Sequence, residues 1–300
     1  MTKPDNISPQ LISSRDLLAQ GIQSLKTLMP QAFWVVALGM VLPQLAFSLI
    51  WGHRSGEFFE SIKTLTQSVP AVGPSGLFRT LIPETLNYFA GFTAGIIAVL
   101  GLSAISWMIL VQQTLDLQQG RPVTPAGHAF WQCLRLIIPR GLILFVLVTL
   151  TLGIGQFLVL MLLIASIFVL MAPVLLVAEK KSAFALFGRT MTLRWVSRAG
   201  SLGVWPFFFA LMSIGGAFWL SQFAVGWLIS SIATLDLTLG LEHSFWARPL
   251  GSLPFTGAWL LGEILEITIG SAVAAVLPPV TVALYLRAGG GVGENLELKV

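Results

Sequence analysis

The sequence predicts an all-α polytopic membrane bundle: six transmembrane helices, with three cytoplasmic amphipathic helices lying in the membrane interface. Three observations carry that expectation. Mean hydropathy is +0.85, and 20 Phe and 10 Trp sit beside only 10% charged residues, a composition that water-soluble folds do not carry. Long uncharged runs recur along the chain. The basic residues that separate them fall mostly on alternate loops.

No charge occurs from Thr27 to His53, from Thr85 to Leu115, from Gly141 to Ala178, from Ala199 to Leu235, or from Ile267 to Leu286. A helix needs roughly 20 apolar residues to cross the hydrocarbon. The run over residues 141–178 would be about 57 Å long as one straight helix, more than tilt can absorb. It is therefore expected to fold back, at Gly153 to Gln156, where two glycines and an amide interrupt leucine-rich flanks. The expected spans are residues 31–52, 89–113, 137–154, 157–178, 201–225 and 263–286. A second turn at Ser213 to Gly216 is rejected, because each half would be too short to cross and seven spans would separate the chain ends.

Under this topology one face holds all the Lys and Arg except Arg54, Lys63, Arg79 and Arg248, hence thirteen of 17. Positive loops stay in the cytoplasm, so both termini are expected there, in a cell membrane of the bacterial inner-membrane type. The same bias explains the pI near 9.6 without a nucleic-acid partner. Asp5, Arg15, Asp16 and Lys26 make the first thirty residues too polar for a cleavable signal core, so the first span is expected to be a retained anchor. The single cysteine, Cys133, falls on the reducing side, where no disulfide or thiolate cage is expected.

Three cytoplasmic segments share one plan: a polar start, a short amphipathic helix, then entry into a span. The first starts at Ser13 or Ser14 and presents Leu18, Ile22, Leu25 and Met29 on one face. The second follows Thr124, a hydroxyl able to accept from backbone amides, with Pro125 at the first helical position. The third is capped by Ser182 and carries Phe184, Phe187, Met191 and Trp195 at spacings of three, four and four. Each precedes a pair of spans, giving three units of interfacial helix plus hairpin. Between the first two spans, a short amphipathic piece and a Pro- and Gly-rich linker are expected around residues 57–76, and turn formers and aromatics fill 236–255. The whole chain reads as a single membrane domain: a segment over 1–30, a bundle over 31–287 and a tail over 288–300.

Two stretches carry a likeness. One leaves the fourth span through Pro173 and Glu179 into a small helix with Ser182, Ala185, Leu186, Thr190 and Gly200; the other is the tail with Tyr285, Arg287, Glu294, Leu296 and Leu298. Together they resemble the six-span superfamily related to the membrane domain of glycerophosphoryl diester phosphodiesterase. The tail departs from that pattern with three consecutive glycines, Gly289 to Gly291, where a charged run belongs. The resemblance implies a six-span architecture and not a hydrolase. A metal-dependent phosphodiesterase needs clustered histidines beside a carboxylate cage, whereas His53, His128 and His243 lie in separate loops.

No histidine pair has metal-ligand spacing, and no nucleophile elbow or P-loop occurs, so neither catalytic residues nor a cofactor are expected. Two groups remain as candidate sites. Lys180, Lys181, Arg189, Arg194 and Arg198 form a basic cytoplasmic stretch with no acid among them, a lipid or partner surface; plain headgroup attraction accounts for most of it. Glu263 and Glu266 share one helical face beside the last apolar run. Because Ile267 to Leu286 alone is long enough to cross, the pair is expected at the outer interface rather than buried as a proton or cation path. Pro43, Pro173, Pro206, Pro278 and Pro279 interrupt spans, and Gly91, Gly95, Gly101 and Ala104 suit close helix packing. These features favour a non-catalytic protein that organises, assembles or accompanies another membrane complex in a bilayer with anionic headgroups. The alternative is a transporter or lipid-handling permease.

Overall fold

The structure, a computed structural model, describes residues 13–141, 171–180, 184–185, 188, 204–238 and 256–287. The described residues are about 93% helical and contain no strand. Four helical stretches among them are long and apolar enough to cross a membrane: Met29–Leu65, Leu81–Gln118, Phe208–Ile232 and Gly257–Leu286. They coincide with the first, second, fifth and sixth expected spans. The expected third and fourth spans, and the turn between them, lie largely outside the described residues. The chain divides into two compact units. The first contains Met1–Val36, Ala104–Phe218 and Ala272–Val300; the second contains Ala37–Ser103 and Trp219–Ser271.

In the first unit, helix α1 (Ser14–Thr27) starts where Ser13 accepts the Arg15 amide at 3.2 Å, the polar start read from the sequence. Its protein-facing side is distinct from the apolar stripe. Leu17, Gly21 and Ser24 are buried in α1, with Leu28 just beyond it, while Ile22 and Met29 are 43% and 58% exposed. The reason is the neighbour. Helix α1 packs on α7 (Leu277–Arg287), the last part of the chain's last span, and a Cβ at Gly21 would lie 2.5 Å from Val280 Cγ2. A helix packed against another helix at this range turns its smallest residues inward, and the larger apolar ones are left to face outward. Val280 to Tyr285 are all buried.

Helix α2 (Met29–Val36) passes into a π-helical turn at Ala37–Val41, followed by the helical run α3 (Leu42–Gln118). In the second unit this run doubles back on itself. Trp51 and Tyr88 are 37 residues apart, about 55 Å along a straight helix, yet their ring centroids are 5.0 Å apart. Phe47 meets Phe92 at 5.7 Å and Phe58 stacks on Tyr88 at 4.2 Å, the crossed pairing of an antiparallel hairpin. The stretch expected as a Pro- and Gly-rich linker is therefore helical. Pro70, Pro74 and Pro83 each remove a backbone bond there, where bending a helix costs least. Gly95 and Gly91 make the hairpin tight: Cβ atoms there would lie 2.5 Å from the Phe47 ring and 3.3 Å from the Trp51 ring. Among the described residues, Gly101 has no such neighbour within 4 Å.

Helix α4 (Ala126–Leu136) continues into a second π-helical turn, Ile137–Gly141, which contains Pro139. Pro125 is its N-cap, and no side chain caps it. The expected role of Thr124 is corrected below. Buried Ala129 and Cys133 face inward, while His128 is exposed. Burial pushes the Cys133 thiol up to about 12, because a thiolate is poorly tolerated in apolar surroundings. The stability linked to this shift is complete below the unfolded thiol value near 9 and is lost as pH rises toward 12. Accordingly, maleimide at neutral pH should leave Cys133 unmodified in the folded protein and label it fully in denaturant; rapid native labelling, followed by mass spectrometry, would contradict the burial.

Helix α5 (Val204–Thr238) runs unbroken through Ser213 to Gly216, in agreement with the rejection of a turn there. Helix α6 (Gly257–Ala274) and α7 are separated by a break at Ala275 and Val276. Pro278 and Pro279 occupy the first turn of α7, where a missing N–H costs little. The last span is thus proline-broken, as the sequence indicated. Pro206 sits in the first turn of α5, and the residues just before that helix lie outside the described ones.

Candidate functional site

Polar side chains concentrate at the end of α3, over the sequence Gln112 to Gln119. The helix stops at Gln118, and Gly120, at φ +66°, ends it in a left-handed residue. The Gly120 amide donates to Leu117 O at 3.2 Å and the Arg121 amide to Asp116 O at 2.8 Å, so the last carbonyls are satisfied. The chain then returns to the helix. The Asp116 carboxylate, 5% exposed, accepts from the Thr124 amide at 3.1 Å, the Thr124 hydroxyl at 2.6 Å and Gln112 Nε2 at 3.0 Å. Thr124 therefore donates to α3 instead of capping α4. The hydroxyl is drawn toward the carboxylate it donates to, and Pro125 takes the N-cap position of α4 without a side-chain cap.

Two glutamines extend this seam to the N-terminal helices. Gln113, fully buried, donates through Nε2 to Gln31 Oε1 at 2.9 Å and to the Thr124 carbonyl at 3.2 Å. Gln118 donates to Ser24 Oγ at 3.1 Å. The result is a polar clasp that joins α1, α2, the end of α3 and the loop before α4. Among the described residues, Gln113 Oε1 and Gln118 Oε1 are buried without a hydrogen-bond partner.

Glu179 and Tyr285 meet in the first unit. Tyr285 Oη, on α7, donates to Glu179 Oε1 at 3.2 Å. Glu179 ends the helical stretch 171–179, and the next residue, Lys180, has φ +50°. Its carbonyl accepts from the Arg140 guanidinium. A side chain in this left-handed conformation crowds its own carbonyl at a cost of about 1 kcal/mol, and glycine is the usual occupant at a helix end. Replacing Lys180→Gly should therefore stabilise the folded protein by about 1 kcal/mol, read as a higher midpoint of thermal unfolding in mild detergent. A lower midpoint would show that Lys180 contributes packing that outweighs its strain.

Of the basic stretch proposed from sequence, Lys180 is described and exposed. Lys181, Arg189, Arg194 and Arg198 lie outside the described residues. So do Ser182, Phe187, Met191 and Trp195 of the third amphipathic helix, of which Phe184, 68% exposed, is helical.

Glu263 and Glu266 belong to the second unit. Both are half-buried on α6, which begins at Gly257, so they lie in its second and third turns. Glu263 Oε2 accepts from Ser48 Oγ at 2.8 Å, and the Glu266 backbone carbonyl accepts from Gln222 Nε2 at 3.1 Å. Glu263 is thus fixed to the first span by its side chain. Further along the helix that carries Ser48, Trp51 Nε1 donates to Tyr88 Oη at 3.2 Å, and Ser55 Oγ lies 2.8 Å from the same hydroxyl. The clasp at Asp116 was missed in the sequence, though Gly120 two residues before Pro122 was a readable helix stop.

No family model, no curated protein and no solved structure matches this chain.

Proposed function

We propose that this chain is a non-catalytic multi-pass membrane protein that organises, assembles or accompanies another membrane complex. One observation carries this reading: buried and half-buried polar side chains act as staples between helices within each unit. Asp116 holds Thr124, Gln113 holds Gln31, Gln118 holds Ser24, Glu179 holds Tyr285 and Glu263 holds Ser48. Such pairs make a rigid frame, which suits a protein whose outer surface does the work. That surface is apolar and aromatic. Trp219, Phe223 and Trp227 recur every fourth residue along α5 and are 74%, 74% and 66% exposed, placed for lipid or for a neighbouring span.

The same reading places six spans in a bacterial inner membrane with both termini cytoplasmic, on the positive-loop argument. Its likeness to the six-span superfamily related to the glycerophosphoryl diester phosphodiesterase membrane domain belongs to the proposal as well. The basic face that includes Lys180 then lies against anionic headgroups. Purification of the tagged full chain in mild detergent, with identification of co-purifying proteins, tests it. Another membrane protein recovered in fixed ratio supports the organising role; a lone monodisperse chain with transport activity in vesicles refutes it.

A second reading, a transporter or permease, rests on the break at Ala275 and Val276 and on the fixed carboxylate of Glu263. Broken helices often mark substrate or ion sites. Under this reading, uptake into vesicles is lost in a Glu263→Gln, Glu266→Gln double variant.

A further inference from the structure

We propose that Arg135 and Lys180, with Arg140 as the positioning residue, form a binding site for the phosphate of an anionic lipid headgroup at the exposed face of α4. The inference rests on placing the basic face at the headgroups, and it does not depend on the organising role.

Four observations converge on this corner of the first unit. His128, Trp131, Arg135 and Ile138 follow at spacings of three, four and three, so they share one face of α4 and its π-helical end. All four are exposed, and Trp131 and Ile138 are 62% and 69% so. The opposite face is the buried one, with Ala129 and Cys133. Arg140 then ties this helix end to the chain leaving the membrane, because its guanidinium donates to the Lys180 carbonyl.

That contact fixes the position of a charge. Lys180 is held in a left-handed conformation that glycine would adopt with less strain, and its side chain is exposed. Strain retained at a charged, exposed residue points to a use for the charge. The neighbouring acid, Glu179, accepts from the buried Tyr285. Arg135 stands five residues before Arg140, about 7.5 Å along the helix and more than a quarter turn around it, a separation that the lengths of an arginine and a lysine side chain can bridge to one phosphate. A guanidinium suits this ligand because its planar fork of donors matches phosphate oxygens.

The flanking side chains select the source of the phosphate. An exposed Trp and Ile beside an Arg on one helical face match the boundary between headgroups and acyl chains, where an indole and a branched alkyl group are buried and a cation is not. A soluble phosphate offers nothing to Trp131 or Ile138. The occupant is therefore a lipid with an anionic headgroup.

The test uses the full chain in mild detergent, supplied with equal amounts of phosphatidylglycerol and phosphatidylcholine, and native mass spectrometry of the lipids retained. Wild type should retain phosphatidylglycerol preferentially. Arg135→Gln and Lys180→Gly should each reduce that preference about fivefold, the scale expected for one basic side chain at a headgroup. Lys180→Arg should keep it. Lys180→Gly serves as its own folding control, since its thermal midpoint should not fall. Unchanged preference in both loss variants overturns the site, as does displacement of the lipid by equimolar inorganic phosphate, which would show a site that reads phosphate alone. Co-purifying proteins in the same samples bear on the organising role, and the lipid ratio bears only on this site.

Discussion

Asp116→Ala should lower the stability of the folded protein by about 3 kcal/mol, because three donors lose a charged acceptor where water cannot replace it. The donors are the Thr124 amide, the Thr124 hydroxyl and Gln112 Nε2, at 3.1, 2.6 and 3.0 Å. Two of the three bonds come from the loop that carries the chain from α3 to α4. Losing them frees that loop and also weakens the hold of Gln113 on the Thr124 carbonyl. Asp116→Asn keeps one carbonyl oxygen and should cost about half as much. Thr124→Val removes only the hydroxyl and should cost about 1 kcal/mol. Thermal unfolding in mild detergent ranks the three variants. An Asp116→Ala protein that melts within a degree of wild type would mean that the clasp contributes nothing to the fold.

The second large effect belongs to Gly21. A Cβ there would stand 2.5 Å from Val280 Cγ2 and 3.3 Å from the Val280 amide nitrogen. Val280 is fully buried and β-branched, so its methyl cannot swing away, and the backbone behind it blocks a simple shift. Gly21→Ala should therefore cost about 1–3 kcal/mol, the usual range for overpacking a close contact. Gly21→Leu should exceed that and release α1 from α7, seen as new protease cleavage between Ser14 and Thr27. Pairing Gly21→Ala with Val280→Ala opens the space again, so the double variant should be more stable than the sum of its parts. Strict additivity would show that the two helices do not press on each other here.

The membrane class was legible because it rests on a bulk property. A helix in hydrocarbon satisfies its own backbone, so only the length and apolarity of a segment matter. The helices at Met29–Leu65, Leu81–Gln118, Phe208–Ile232 and Gly257–Leu286 emerge where uncharged runs placed them. The N-cap at Ser13 and the break before Pro278 and Pro279 were legible for a similar reason, since each depends on one residue's own donors and acceptors. The buried face of α1 was not legible. Periodicity marked Leu18, Ile22, Leu25 and Met29 as an apolar stripe, but large apolar residues are as comfortable against lipid as against protein, so hydrophobicity does not name the side that meets another helix. The smaller Gly21 and Ser24 take the helix contact, one position away from the stripe that hydrophobicity marks.

The candidate sites divide along the same line. Glu263 and Glu266 were found from sequence as acids beside an apolar span, yet nothing in the pattern named Ser48, which is 215 residues away. Lys180 stood out through its charge. Its left-handed backbone and the grip of Arg140 became visible only when the segments met. Nothing in the sequence pattern marked Gln113 and Asp116 as partners of Gln31 and Thr124.

Amino-acid order by itself determined that the chain is helical, that several of its helices suit a membrane, and where most of their local starts and breaks fall. Each of those outcomes is decided within one turn or by the sum of transfer energies along one segment. Tertiary structure alone decided which side of α1 meets α7, that Phe47 and Trp51 pack on Tyr88 and Phe92, and that Asp116 binds Thr124, because these depend on which distant surfaces approach closely enough for a methyl group or a hydrogen bond to matter.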